Sequence, residues 1–183
     1  MGEPQTAAIT VLADGKHIRL VRSGRWEFVE RKGITGIVGI VAVTDDAKLI
    51  LLEQYRRPVD NRVIEIPAGL VGDEVGQENE SLLSAARREL EEETGYYAEH
   101  LSPLGSGAVS AGLSNEIVSL WFASGVMKRA AGGGVGGESI TVHAVPLSDV
   151  TRRLAEWTAE GKLIDLKVYA ALHFVAVQAK PTA

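Results

Sequence analysis

Three rhythms of apolar and polar residues run along this chain. Over residues 7–32 the alternation is weak. ITVL, HIRLV and WEFVE are separated by ADGK and RSGR, both turn-like, which predicts two or three short strands in a meander. Denser β-rich runs follow, IVGIVAV and LILLEQY, with TDDAK between them as a natural hairpin turn. A third run, RVIEIPAGLV, ends at Pro67 and Gly69 and gives way to a polar, glycine-containing loop, GDEVGQEN.

From Glu80 the period changes. Leu82, Leu83, Ala86 and Leu90 recur at helical spacing, and Gly95 stands where a helix C-terminus is expected. Strand-like segments return at HLSPLGSGAVS, EIVSLWFASGV and SITVHAVPL. Between the last two, AGGGVGG (131–137) is of low complexity and is expected to be a mobile surface loop. LSDVTRRLAEWTAEG and DLKVYAALHFVAVQA read as closing helices, with Leu154, Trp157, Leu166, Tyr169, Ala170 and Phe174 as the expected core positions. Strands before, around and after helices imply a mixed α/β layered domain rather than regular βαβ winding.

Composition narrows the possibilities. At 183 residues the chain fits one domain, or one with a small appendage. A net charge of −5 argues against broad nucleic-acid binding, which needs a basic face. The absence of cysteine excludes disulfides and thiolate zinc sites. The start lacks a basic region followed by a long apolar run, and no apolar stretch is long enough to span a bilayer. A cytoplasmic protein, with no membrane and no nucleic-acid partner, is the expectation.

One stretch is chemically unusual. AARRELEEETGY crowds Glu89, Glu91, Glu92 and Glu93 together, although like charges three and four apart on a helix repel. Glu89 and Glu93, four apart, share a face; Glu92 lies at its edge and Glu91 points to solvent. Carboxylates alone, without histidine or cysteine, suit a hard divalent cation such as Mg2+. Arg88 reaches Glu92 at i+4 and orients it. On spacing alone, a solvated acidic face neutralised by Arg87 and Arg88 explains the run equally well.

RELEEETGY also fits the pattern R-E-U-x-E-E-x-G-U, where U is a bulky apolar residue. Arg88, Glu89, Leu90, Glu92, Glu93, Gly95 and Tyr96 match it, and Glu80 stands eight positions before Arg88. This resembles the Nudix box, the signature of hydrolases that cleave nucleoside diphosphates linked to another moiety. The family's glycine six positions before the first glutamate is Glu74 here; Gly69 lies five residues further back. WEFVER, VAVTDDAKLILLEQYRRPV, VIEIPAGLV, SAGLSNE and VHAVPLSDV are similar to the ADP-ribose and nucleoside-diphosphate-sugar pyrophosphatase branch, except that the branch often has proline where this chain has Ala111.

The resemblance implies a Nudix fold: a mixed β-sheet sandwiched between helices, with a small N-terminal antiparallel β-meander. It implies that the Ala68 carbonyl joins Glu89 and Glu93 in binding Mg2+, with Mn2+ as a substitute. It also implies a homodimer in which the N-terminal strands pack across to the partner. The expected division is 1–35 as the dimerising meander and 36–183 as the catalytic domain.

The expected reaction is hydrolysis of the pyrophosphate bond of ADP-ribose or a related nucleoside diphosphate sugar. A nucleoside-triphosphate sanitising enzyme and a non-catalytic nucleotide sensor of the same fold are the alternatives. Glu116 in SAGLSNE is the expected base for the attacking water, with Glu92 and Glu93 as competitors and an ordinary loop glutamate as the bland reading. Arg56, in EQYRRPV, has the donor fork that matches phosphate, or is a surface arginine paired with an acid. Glu65 is a candidate for ribose hydroxyls. Trp26 and Phe28 flank Glu27 on a strand and are expected on opposite sides of it, one stacking on a base, the other packing inward.

Overall fold

The structure is a computed structural model, and it describes residues 8–73, 76–134 and 139–178. The weak N-terminal alternation forms β1 (Ile9–Asp14), β2 (Ile18–Ser23) and β3 (Trp26–Arg31), an antiparallel sheet in that order. Both connections are tight, with Gly24 in the left-handed region at φ 58° where the second turns. Little of this sheet is covered: Ile9, Val11, Leu12, Ile18, Leu20 and Trp26 are all exposed.

The rest is built on β4 (Gly36–Thr44) and β5 (Lys48–Arg56), joined by the TDDAK turn. These two strands pair only at Val43 and Leu49, then diverge. One leaf gathers on β4: β7 (Ala68–Val71) runs antiparallel to it and β9 (Ile117–Lys128) parallel, with β8 (Tyr96–Ala108) outside β9. The other gathers on β5, with β10 (Thr141–Pro146) on one side and β6 (Asn61–Glu65) on the other. A two-residue strand, β11 (Leu163–Ile164), adds parallel to β6. Two residues are too short for a period to set them apart from the helices on either side.

Helix α1 (Leu82–Thr94) covers one side of the sheet; α2 (Val150–Ala159) and α3 (Leu166–Gln178) cover the other. Side-chain alternation on β4 divides the core accordingly. Val38, Ile40 and Ala42 join Ala85, Ala86 and Leu90 of α1, whereas Val41 joins Val150, Leu154, Trp157, Val168 and Ala171. The mixed sheet sandwiched between helices is the expected architecture.

Several local expectations need correction. RVIEIPAGLV is two strands, not one run. Pro67 has no N–H for a ladder, and its carbonyl instead accepts from Ile40 at 2.8 Å while the chain crosses from one leaf to the other. Leu82 and Leu83 are exposed, because α1 packs through its alanines and Leu90. On α3, Leu166 and Tyr169 are exposed and Ala170 and Phe174 half-buried; Val168 and Ala171 hold the core. That helix is apolar nearly all round, so periodicity could not choose its buried face. Of the glycine-rich stretch, 135–137 lie outside the described residues, but 131–134 are packed on the end of α1.

Candidate active site

Helix α1 begins at Ser81, whose Oγ accepts the Ser84 amide at 3.1 Å, and ends at Gly95 in the left-handed conformation at φ 70°. With Ala85, Ala86 and Leu90 buried against the β4 leaf, Glu89 and Glu93 are turned toward the strand that follows Pro67. Glu93 accepts the backbone N–H of Ala68 at 2.9 Å. Glu89 lies so close to Gly69 that a Cβ there would sit 1.8 Å from its carboxyl carbon. Glycine leaves the room this carboxylate occupies, and any side chain there would displace it. Burial pushes the Glu89 carboxyl up to about 7, against the pull of Arg88 beside it.

Arg88 is the hub of the acidic cluster. It holds both oxygens of Glu80, through Nε at 3.1 Å and Nη2 at 3.0 Å. Its Nη1 reaches Glu89 at 2.9 Å and Glu92 at 3.1 Å, and Nη2 also donates to the Leu70 carbonyl at 3.0 Å. Led by the Glu80 hydrogen bonds, these contacts hold it firmly protonated. Glu80 is thus an anchor for Arg88. Glu91 is exposed, as its position on the helix predicts; Glu74 lies outside the described residues.

A cavity of about 440 Å³ opens beside this cluster. Ala68, Arg88, Glu89, Glu92 and Glu93 line one wall, and Arg56, Glu116, Arg31 and Lys167 contribute to the rest. These residues come from six separated parts of the chain: β3, β5, β7, α1, the loop after β8 and α3. Arg56 is fixed by Glu65, with Nη2 to Oε2 at 2.7 Å. Glu65 also accepts from Gln54 at 2.8 Å and does not line the cavity. Burial opposes the charge on Arg56, yet the Glu65 pairing outweighs it and raises its pKa. Glu116 accepts from Arg31 Nε at 2.9 Å. Its loop is docked on β3, the Val29 amide donating to Leu113 O at 2.8 Å and Asn115 Nδ2 to Glu30 at 3.2 Å.

Trp26 and Phe28 are not among the cavity residues. Two apart on β3, they share one face of the strand, so the expectation of opposite sides fails on the period of two. Sequence reasoning missed Arg31 and Lys167. Arg31 ends the strand WEFVER, with no local feature to distinguish it from other surface arginines. Lys167 is the single charged residue in LKVYAALHFVAV, a signal that was available. It lies on the cavity wall with Nζ 2.6 Å from Asp165.

A helix bearing carboxylates, stacked against a Pro-Ala-Gly strand in a sheet between helices, defines the class. This chain belongs to the Nudix family, with the NUDIX domain matching residues 34–166. It is 33% identical over 144 residues to a methanol dehydrogenase activator of Bacillus methanolicus, covering 78% of this chain and 73% of that protein. It is 43% identical over 88 residues to an ADP-ribose pyrophosphatase of Bacillus subtilis, covering 48% of this chain and 45% of the relative. An ADP-sugar pyrophosphatase of Mus musculus matches at 36% over 130 residues, 67% of this chain and 56% of its own length. The chain thus spans about half the length of the two pyrophosphatases. A solved structure described as that of an ADP compounds hydrolase superposes with a TM-score of 0.64 at 20% identity, over 83% of this chain and 84% of the other. That likeness shows the fold.

Nudix hydrolases generally use divalent metal ions. Among the described residues no three Asp, Glu, His or Cys side chains are arranged as a closed metal cage. Arg88 draws an oxygen of Glu89 and one of Glu92, and Glu93 accepts from Ala68. An open wall of carboxylates nevertheless suits a cation that takes one or two protein carboxylates and completes its shell with water and phosphate. Glu89, buried with its charge disfavoured, fits that group.

Proposed function

We propose that this chain hydrolyses the pyrophosphate bond of ADP-ribose or a related nucleoside diphosphate sugar, giving a nucleoside monophosphate and a sugar phosphate. The observation that carries this reading is the division of one cavity into an acidic wall on α1 and a set of cations, Arg31, Arg56 and Lys167. A pyrophosphate repels an anionic nucleophile. A pocket that hydrolyses it needs cations around the phosphates and a carboxylate aimed at water. The named activities of the Bacillus subtilis and mouse relatives point the same way.

In this reading Ala68, Glu89 and Glu93 hold Mg2+, for which Mn2+ substitutes. When bound, the ion neutralises phosphate charge and makes water a better nucleophile. Arg88 orients Glu92 beside the site. Arg56, pre-set by Glu65, offers its remaining donors to a phosphate oxygen. Glu65 supports Arg56 and stays the candidate for ribose hydroxyls. Glu116 orients and deprotonates the attacking water, with Arg31 steering its carboxylate.

We further propose that residues 1–35 form a dimerising meander beside a catalytic domain of 36–183, in a cytoplasmic homodimer. The exposed apolar side chains of the first three strands, Ile9, Val11, Ile18, Leu20 and Trp26 among them, support this, since a monomer leaves them in water. Trp26 or Phe28 then meets the substrate only across the dimer.

The test is a substrate panel of ADP-ribose, GDP-mannose and nucleoside triphosphates, scored by product release with and without Mg2+. Metal-dependent release of a nucleoside monophosphate from a diphosphate sugar is the expected result. Preferential release of inorganic pyrophosphate from triphosphates would move the chain to the sanitising class. Binding without turnover would make it a sensor.

A further inference from the structure

The last turn of α1 carries Glu92 and Glu93 and stops abruptly. Gly95 reverses the chain, its own amide satisfying only the Glu91 carbonyl at 2.8 Å, and β8 begins at once with Tyr96. A helix end leaves its final carbonyls without partners, and the usual remedy is the next residues of the same chain. Here the remedy comes from the segment after β9. The amide of Gly134 donates to Glu92 O at 3.1 Å, and that of Gly133 to Glu93 O at 2.8 Å. Lys128 Nζ donates to Thr94 O at 2.6 Å and to Ala131 O at 3.0 Å. The amides of Arg129 and Ala130 both donate to Gly95 O, at 2.8 and 3.0 Å.

This contact tolerates only glycine where the chains cross. A Cβ on Gly132 would lie 2.3 Å from Thr94 C, and one on Gly95 would lie 2.2 Å from Ala130 O. Gly132, Gly133 and Gly134 have φ of 73°, 114° and 81°, conformations that side-chain-bearing residues rarely adopt. The run AGGG is thus a shaped cap, and the glycines that read as low complexity are what lets it fit.

We propose that residues 128–134 act as a clamp that positions Glu93 for the divalent cation and Glu92 beside it, an inference that rests on the metal reading above. Glu93 is held at both ends, its carbonyl by Gly133 and its carboxylate by Ala68. Glu92 is held by Gly134 through the backbone and by Arg88 through the side chain. Loosening the clamp frees the backbone of the last turn, and both carboxylates move with it. Gly132 and Gly133 are positioning residues. They touch neither the cavity nor anything that reacts.

The experiment measures Mn2+ binding at equilibrium, from the electron paramagnetic resonance of the free ion, beside the melting temperature. Wild type is compared with Gly132→Ala, Lys128→Met and Gly161→Ala. Gly161 also has positive φ, at 85°, but follows α2 and meets nothing within 4 Å, so its variant reports strain alone. Supporting groups around a metal ligand are typically worth roughly 10- to 100-fold in affinity. Gly132→Ala is expected to weaken Mn2+ binding by about 10-fold or more, the low end of that range. Lys128→Met, which leaves the backbone conformation alone and serves if Gly132→Ala does not fold, is expected to weaken it less, in the same direction. Gly161→Ala is expected to lower the melting temperature without changing affinity. If both clamp variants bind Mn2+ within about twofold of wild type, well short of a supporting role, the clamp is only a structural cap. A wild type that binds no Mn2+ would overturn the metal reading itself and the clamp with it.

Discussion

The backbone amide of Ala68 donates to the carboxylate of Glu93 at 2.9 Å, tying the last turn of α1 to the strand that follows Pro67. Glu93→Gln keeps a side-chain oxygen able to accept that bond but removes the charge. Turnover is expected to fall by roughly 100-fold or more, the scale of losing several kcal/mol of metal-borne charge stabilisation. Fold and nucleotide binding are expected to persist. Glu91→Gln, on the exposed face, is expected to be silent. Steady-state kinetics at saturating Mg2+ check both, and wild-type turnover by the Glu93 variant would remove it from the site.

Gly69→Ala places a methyl group where the Glu89 carboxyl now lies. Either Glu89 swings away or β7 shifts. A displacement of about 1 Å at a reacting centre costs on the order of 100-fold in rate, and that loss is the expected outcome, with a reduced Mg2+-induced rise in melting temperature. An alanine variant with normal kinetics would show that this contact has no bearing on the chemistry.

The Glu89 carboxyl, raised by burial to about 7, gives a pH dependence whose sign is fixed. Its folded value exceeds the roughly 4.3 of an unfolded glutamate. The stability it contributes is therefore complete only below that lower value and is lost as pH rises through about 7. A cation competes with the proton for the same oxygens. Metal-free protein is expected to become less stable between about pH 4.3 and 7 and to level off above, and Mg2+ to raise the melting temperature more at pH 8 than at pH 6. Thermal scans in chelator and in Mg2+ decide it; equal metal effects at both pH values contradict it.

Glu116→Gln is expected to lower kcat by roughly 100-fold, the scale of a lost general base, with KM nearly unchanged. Because Arg31 holds Glu116 at 2.9 Å, Arg31→Gln is expected to reduce kcat by less, through a carboxylate no longer aimed. If Glu116→Gln retains most activity, the base lies in the acidic helix, at Glu92 or Glu93.

Deleting residues 1–32 is expected to convert a dimer into a monomer by light scattering and to lower activity and stability together. The deletion also removes the β3 contacts that dock the loop bearing Glu116. Trp26→Asp separates the two effects, since Trp26 is 59% exposed and outside the cavity. A wild type that is monomeric at micromolar concentration and fully active would end the dimer proposal.

What the sequence determined by itself was local and periodic. The spacing of Glu89 and Glu93 dictated a shared helix face, Gly95 dictated where the helix stops, and alternation broken by turn residues dictated an N-terminal meander of two or three short strands. Each follows from the geometry of one element and needs no knowledge of neighbours. The tertiary structure alone decided which distant groups meet. Arg31 and Lys167 are separated by most of the chain, yet both line the cavity, because β3 docks on the loop after β8 and α3 starts beside the parallel pair β6–β11. It also decided that α3 buries Val168 and not Leu166, and that AGGG caps α1. An all-apolar helix has no preferred side until a sheet is laid against it, and a run of glycines has no shape until another backbone passes close by.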